Sequence, residues 1–319
     1  MEHILRNTVL TALEQKDATM MTIYYLLTDK TYRKGVTDKL NDPMLKHFWN
    51  QEFNSLASSQ KTEMITPITN KLGLFLTFLM TRNILGTPKS TLDLDDVMNS
   101  GKILICDLSK GKIGEDIGSF LGSLLVAKLQ ISALRRVHIP EEKRKDFFLY
   151  IDEFQNFATE TFVQILSEAR KYRLDTVLAH QTTAQIDRML LQIILANAGT
   201  IISFLTNSPN DEDLLLPIFS PDIAKHDISN LPLYTFYIRI NSTEIASTFT
   251  GKVAKFDVSQ NEEIKRSVIE ASRHQYGVTI DTQEEEPKKP EITTSPPAQR
   301  KVSKEKTFTK IEVQPSSDS

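Results

Sequence analysis

The sequence predicts an α/β protein: a mostly parallel sheet interleaved with helices, preceded by an all-helical region and followed by a disordered tail. Three observations predict it. From Lys102 onward short apolar runs alternate with helical periodicities, and strands separated by helices pair in parallel through right-handed crossovers. Residues 1–92 carry helical spacing and few strand signals. Residues 281–319 hold five of the 13 prolines, many charges of both signs and one aromatic, Phe308. Such a segment cannot bury enough apolar surface to offset its ordering entropy. The expected divisions are therefore 1–92, 93–277 and 278–319.

In the helical region Ile4, Leu5, Val9, Leu10 and Leu13 form one apolar face, and Phe48, Trp49, Phe53 and Leu56 another. Leu72 to Ile84 is a third apolar stretch, and all three read as core. Thr31-Tyr-Arg-Lys34 is either a contact cluster or a solvated face. The expected strands are 102–107, 146–151, 174–180, 200–205 and 234–240. A long helix follows Gly114, with Ile117, Phe120, Leu121, Leu124 and Leu125 inward. Phe162, Ile165, Leu166, Ala169 and Tyr172 recur at helical spacing over 160–173, and a last amphipathic helix covers 259–275. The tail lysines Lys301, Lys304, Lys306 and Lys310 are either a tether for DNA or protein or plain solubilising charge.

Composition is that of a folded chain: 319 residues, 40% hydrophobic and 25% charged. A net charge of −3 gives no global basic signature, so nucleic-acid binding would need a local patch. The single cysteine, Cys106, reads as a small core residue and excludes an intrachain disulfide. The six histidines show no metal-ligand spacing. No run matches the roughly 18 apolar residues of a bilayer span, and no secretory signal opens the chain, which points to the cytoplasm.

The chemistry concentrates where the run Phe147-Phe-Leu-Tyr-Ile ends on Asp152-Glu153. A nucleoside-triphosphate motor carries such a pair to the sheet edge, with an aspartate on the Mg²⁺ side and a glutamate as base for the attacking water. The same residues also fit a strand ending at a polar turn. The next apolar run ends on His180-Gln181-Thr182. The Gln181 amide both donates and accepts, which suits a γ-phosphate or water sensor; it fits equally a turn before a helix starting near Ala184. Glu168-Ala-Arg-Lys-Tyr-Arg173 places cations near a helix C-terminus, where they oppose the macrodipole. Alternatively, Arg170 is an arginine finger reaching a neighbouring subunit's nucleotide.

Phe148-Leu-Tyr-Ile-Asp-Glu-Phe-Gln-Asn-Phe157, Ile165-Leu-Ser-Glu-Ala-Arg-Lys-Tyr172 and Ala179-His-Gln181 together resemble the HerA–FtsK superfamily, in particular the type IV secretion coupling proteins. The likeness extends through Met1-Glu-His-Ile-Leu-Arg-Asn7, Leu104-Ile-Cys-Asp-Leu-Ser-Lys-Gly-Lys-Ile-Gly-Glu-Asp116, Ala196-Asn-Ala-Gly-Thr200 and Ser272-Arg-His-Gln-Tyr-Gly277. The resemblance implies a RecA-like core with Asp152-Glu153 as its Walker B motif, working as a hexameric ring that couples ATP hydrolysis to DNA movement. ATP and Mg²⁺ are the implied cofactors, with Asp152 on Mg²⁺ through water and Glu153 and Gln181 at the nucleotide. DNA, other copies of the chain and type IV secretion or relaxosome proteins are the implied partners. It also implies that 1–92 is a helical insertion at the ring mouth, and that any membrane anchor lies upstream.

One part of the pattern is missing. No Gly-x-x-x-x-Gly-Lys-Ser/Thr occurs in the 319 residues; that loop would cradle the phosphates and place a hydroxyl on Mg²⁺. Ala246-Ser-Thr-Phe-Thr-Gly-Lys-Val253 has a Gly-Lys pair but ends in Val253, and Ala254–Val258 reads as strand, so it is a turn and not a phosphate loop. Gly111, Lys112 and Gly114 read as a strand-to-helix loop. Leu205 stands where the family often carries arginine, which puts any role of that arginine in doubt. In the family the phosphate loop lies ahead of the region matching Met1, so the sequence reads as the C-terminal part of a longer ATPase, inactive alone. Two other expectations remain open: a non-catalytic fragment binding DNA or partner subunits, and a related motor for DNA-end processing or pilus assembly.

Overall fold

The structure is a computed structural model; it describes residues 1–158, 162, 166, 168–241, 247–256, 259–278 and 290–292. The tail expected from 278 lies outside these apart from Val278 and 290–292. Two compact units form, one from Met1–Lys89 with the stretch around Ile292, the other from Ser90–Thr279.

The first unit is helical: α1 (Glu2–Leu13), α2 (Met20–Thr28), α3 (Lys30–Thr37), α4 (Pro43–His47), a π-helical turn Phe48–Phe53, α5 (Ser58–Thr77) and α6 (Leu79–Leu85). Asp29 and Asp42 start α3 and α4 by accepting from main-chain N–H groups. Phe48, Trp49 and Phe53 are buried as expected, ring edge against ring face. The face of α1 is corrected: Ile4, Thr8, Thr11 and Ala12 are buried while Leu5, Leu10 and Leu13 are exposed. The threonines take that place because Thr8 bonds back to the Ile4 carbonyl and Thr11 accepts from Trp49 Nε1 at 2.8 Å. The Leu72–Ile84 stretch is not core throughout, since Leu74, Phe78, Leu79, Met80 and Ile84 are exposed. In the Thr31–Lys34 cluster Thr31 and Lys34 are exposed, Tyr32 is buried, and Arg33 donates to the Leu26 and Leu27 carbonyls over the Phe53 ring.

In the second unit α7 (Leu94–Ser100), α8 (Lys110–Ile113) and α9 (Glu115–Arg135) precede β1 (Phe147–Ile151) and β2 (Leu174–Leu178). β1 and β2 pair in parallel, Phe147 opposite Leu174 through Ile151 opposite Leu178. α10 (Arg188–Asn197), β3 (Thr200–Ser203), α11 (Pro209–Phe219), β4 (Thr235–Ile240), β5 (Ser247–Lys252) and α12 (Glu262–Tyr276) follow. Of the helix expected over 160–173, Phe162, Leu166 and Glu168 are helical and Ala169–Tyr172 is a 3₁₀ turn; Ile165 lies outside the described residues.

Several expectations are corrected here. The second sheet is antiparallel, in the order β3-β4-β5, because the chain after β3 returns through α11 on one side and β5 then folds back on β4. The segment read as a turn around Gly251 is β5: its Ser-Thr-Phe-Thr run favours strand, and a Cβ at Gly251 would lie 2.3 Å from the Phe236 ring. Ala254–Phe256 has no regular structure, and Asp257 and Val258 lie outside the described residues. Residues 102–107 run without a ladder partner among the described residues, with Ile103 90% and Ile105 84% exposed. Cys106 is exposed rather than core.

The fully buried face of α9 is Ile117, Gly118, Gly122, Val126, Leu129, Ser132 and Ala133; of the residues expected there Ile117 is buried, while Phe120, Leu121, Leu124 and Leu125 are half-buried. Glycine is needed because a Cβ at Gly118 would meet the Leu108 carbonyl at 2.9 Å and one at Gly122 the Phe157 ring at 2.2 Å. Contrary to the sequence reading, Glu115–His138 is long and apolar enough to cross a bilayer. Val126, Leu129 and Ala133 instead pack in one cluster with Ile151, Phe154, Phe162 and Leu174.

Candidate active site

Parallel strands deliver the residues after their C-terminal ends to one sheet edge, the usual location of ligand sites in open α/β sheets. β1 ends at Ile151 and β2 at Leu178 in register, so Asp152-Glu153 and Gln181 emerge side by side. Glu153 adopts a left-handed backbone, φ 50°, which turns the chain sharply off the strand. Its N–H donates to Asp152 Oδ1 at 3.0 Å, and Phe154 drops into the core beneath. The ring of His180 stands edge-on to Phe154, 5.2 Å between centroids.

Gln181 Nε2 donates to Glu153 Oε1 at 2.5 Å, and Gln155 Nε2 to Glu153 Oε2 at 2.5 Å. A carboxylate between two amide donors is held in place and keeps a lone pair on each oxygen. Gln181 is not the helix cap: it lies in a bend, Thr182 caps the 3₁₀ turn Thr183–Gln185, and α10 begins at Arg188 behind Asp187.

Arg170 does not join this group. It precedes β2, at the opposite edge from Glu153 and Gln181, and is exposed. Five strand residues separate the two edges by about 15 Å. Sequence reasoning missed Gln155, whose only signal is its place two residues past the carboxylate pair.

Mg²⁺ usually keeps several waters and takes one or two carboxylates plus phosphate oxygens. Asp152 is an exposed carboxylate at this edge that could serve so, and the described residues hold no cluster of three or more candidate metal ligands. A phosphate cradle does not fit the residues present. Gly251-Lys252 lies in β5 with the Phe236 ring over the glycine, and Lys112 is paired with Asp107.

Residues 146–230, which contain this whole edge, match the family model TraG-D_C, described as the TraM recognition site of TraD and TraG. Over this segment the chain is similar to the TraD and TraG proteins. Its fold is similar to that of the bacterial conjugative coupling protein TrwB in its unbound form, with 16% identity and TM-score 0.55 over 81% of this chain. The relative with ADP and Mg²⁺ gives 17% identity and TM-score 0.50, and that with the analogue ADPNP 16% and 0.51, each covering 70% of the TrwB chain. The chain spans 64% of the first coupling-protein structure's length. No curated protein matches it.

Proposed function

We propose that this chain is the motor portion of a DNA-translocating ATPase of the conjugative coupling type, active once a phosphate-loop segment completes it. The observation that carries the reading is the Glu153–Gln181 contact at the C-terminal edge of a parallel strand pair. In this reading Glu153 takes the proton of the attacking water and Gln181 senses the reacting group. Asp152 holds Mg²⁺ through water, and Arg170 acts on a neighbouring subunit in a ring. TrwB structures with ADP and Mg²⁺ and with ADPNP support ATP and Mg²⁺ as the cofactors. The TraM-recognition description of the matched family supports a relaxosome partner for 146–230. The likeness to a conjugative coupling protein supports DNA as cargo.

The uncovered sheet faces support a missing segment. Parallel sheets are ordinarily covered on both faces, yet Phe148, Tyr150 and Val177 on one face of β1–β2 are 56%, 72% and 45% exposed. On the second sheet Ile202 and Phe249 are likewise open. A second reading, a non-catalytic subunit that binds partners, is favoured by the absent Gly-x-x-x-x-Gly-Lys-Ser/Thr.

The test is the intact mass of the native protein from its own cells, together with ATP turnover of the wild type and of Glu153→Gln. A mass well above 36.3 kDa, with turnover that Glu153→Gln abolishes while nucleotide binding persists, supports the motor. A mass matching this chain without turnover leaves the partner-binding reading.

A further inference from the structure

Gln155 lies outside the roles assigned above, yet it makes the second bond to Glu153. Its Nε2 donates at 2.5 Å to Glu153 Oε2 and at 3.1 Å to Gln185 Oε1. That fixes the amide: turned over, its oxygen would face two acceptors. Each Glu153 oxygen therefore takes one amide donor, and both bonds lead to the loop after β2, directly from Gln181 and through Gln155 to Gln185. The loop is anchored in turn. Asp211, 3% exposed in the first turn of α11, accepts from the N–H of Thr183 at 3.1 Å and from its hydroxyl. Gln155 Oε1 is buried without a hydrogen-bond partner among the described residues, while its nitrogen serves both carboxylate and loop.

We propose that Gln155 is a positioning residue that locks the Glu153 carboxylate to the 181–185 loop, so that any displacement of the loop displaces the carboxylate. The inference rests on the reading of Glu153 as general base. A glutamate has three freely turning side-chain bonds, and catalysis is lost steeply when a base is misplaced by an ångström. Two bonds from opposite sides hold it at one position, and Gln155 supplies the one that Gln181 cannot.

The test uses the native protein carrying Gln155→Ala, Gln155→Glu or Gln155→Ala with Gln185→Ala. Turnover number should fall about tenfold in Gln155→Ala with the ATP KM changed less than about twofold. Gln155→Glu, of equal size but offering no donor, should fall further. Adding Gln185→Ala should cost nothing more. In ¹⁵N-labelled protein the Gln155 and Gln181 side-chain amide protons should resonate away from ordinary glutamine positions and return to them in Glu153→Ala. Ordinary resonances in the wild type overturn the lock. So does an unchanged turnover number in Gln155→Ala while Glu153→Gln still blocks hydrolysis, or a loss seen only in KM. Full turnover in Glu153→Gln removes the base assignment itself, and the positioning role falls with it even where the resonances are displaced.

Discussion

Arg136 donates to the main-chain carbonyl of Tyr172 at 2.8 Å from a position that is 1% exposed. The same guanidinium reaches the carbonyls of Met98, Lys145 and Arg173 and the Asn99 side chain. It thus joins the end of α7, the approach to β1 and the turn bearing Arg170. Arg136→Met leaves these acceptors unpaired and should cost about 3 kcal/mol or more. Arg136→Lys should recover part of it, since an ammonium keeps the charge but loses the planar fork. Urea denaturation checks both, and a wild-type midpoint in Arg136→Met would remove the anchoring role.

Trp49, the chain's only tryptophan, donates its indole N–H to Thr11 Oγ1 at 2.8 Å inside the helical unit. Thr11→Val keeps the shape and strands the donor, at a cost of about 1–2 kcal/mol. Tryptophan fluorescence during unfolding reports that unit alone, and the transition should move to lower denaturant. An unmoved transition would mean that water replaces the hydroxyl.

Lys112 and the Ser109 hydroxyl and N–H bond to the exposed carboxylate of Asp107 and hold its pKa down at about 2. The folded value lies below the unfolded one. The contribution is therefore present above the ordinary aspartate range and lost as pH falls through about 2. Because the pair is exposed, salt should screen it. A carboxylate NMR titration should give a midpoint near 2 at low ionic strength and a higher one in molar salt. A midpoint near the ordinary value at low salt would mean the pair does not form.

Arg170 stands at the edge of the sheet away from Glu153, which suits action on another subunit. Arg170→Ala should abolish turnover of the native assembly. Mixing it with Glu153→Gln subunits should restore part of the turnover, since each supplies what the other lacks. Mixtures as inactive as either parent would sink a finger acting between subunits.

The two parallel strands and the carboxylates at their end were legible because an apolar run broken by Asp152-Glu153 is a local pattern. Gln181 was legible for the same reason. The burial of Arg136 was not. Next to Arg135 it reads as one of two helix-end cations, and Arg135 does behave so, pairing with Asp95 at 3.0 Å, while one step of helical rotation turns Arg136 inside. The inward face of α9 was unreadable because the helix is apolar on all sides, leaving glycine contacts to choose the orientation. The face of α1 was misjudged because threonines that bond within the helix pass for surface residues. The bond from Gln155 to Gln185 spans 30 residues, which no local pattern encodes.

The apolar helix Glu115–His138 leaves the ribosome before the strands that cover it, β1 and β2, have been made. Until Leu178 has emerged, the nascent chain carries an apolar helix of the length of a bilayer span without the strands that bury it. Synthesis order thus leaves about 40 residues between the end of this helix and the end of the strands that complete its core, so the helix and its cover are made at different times.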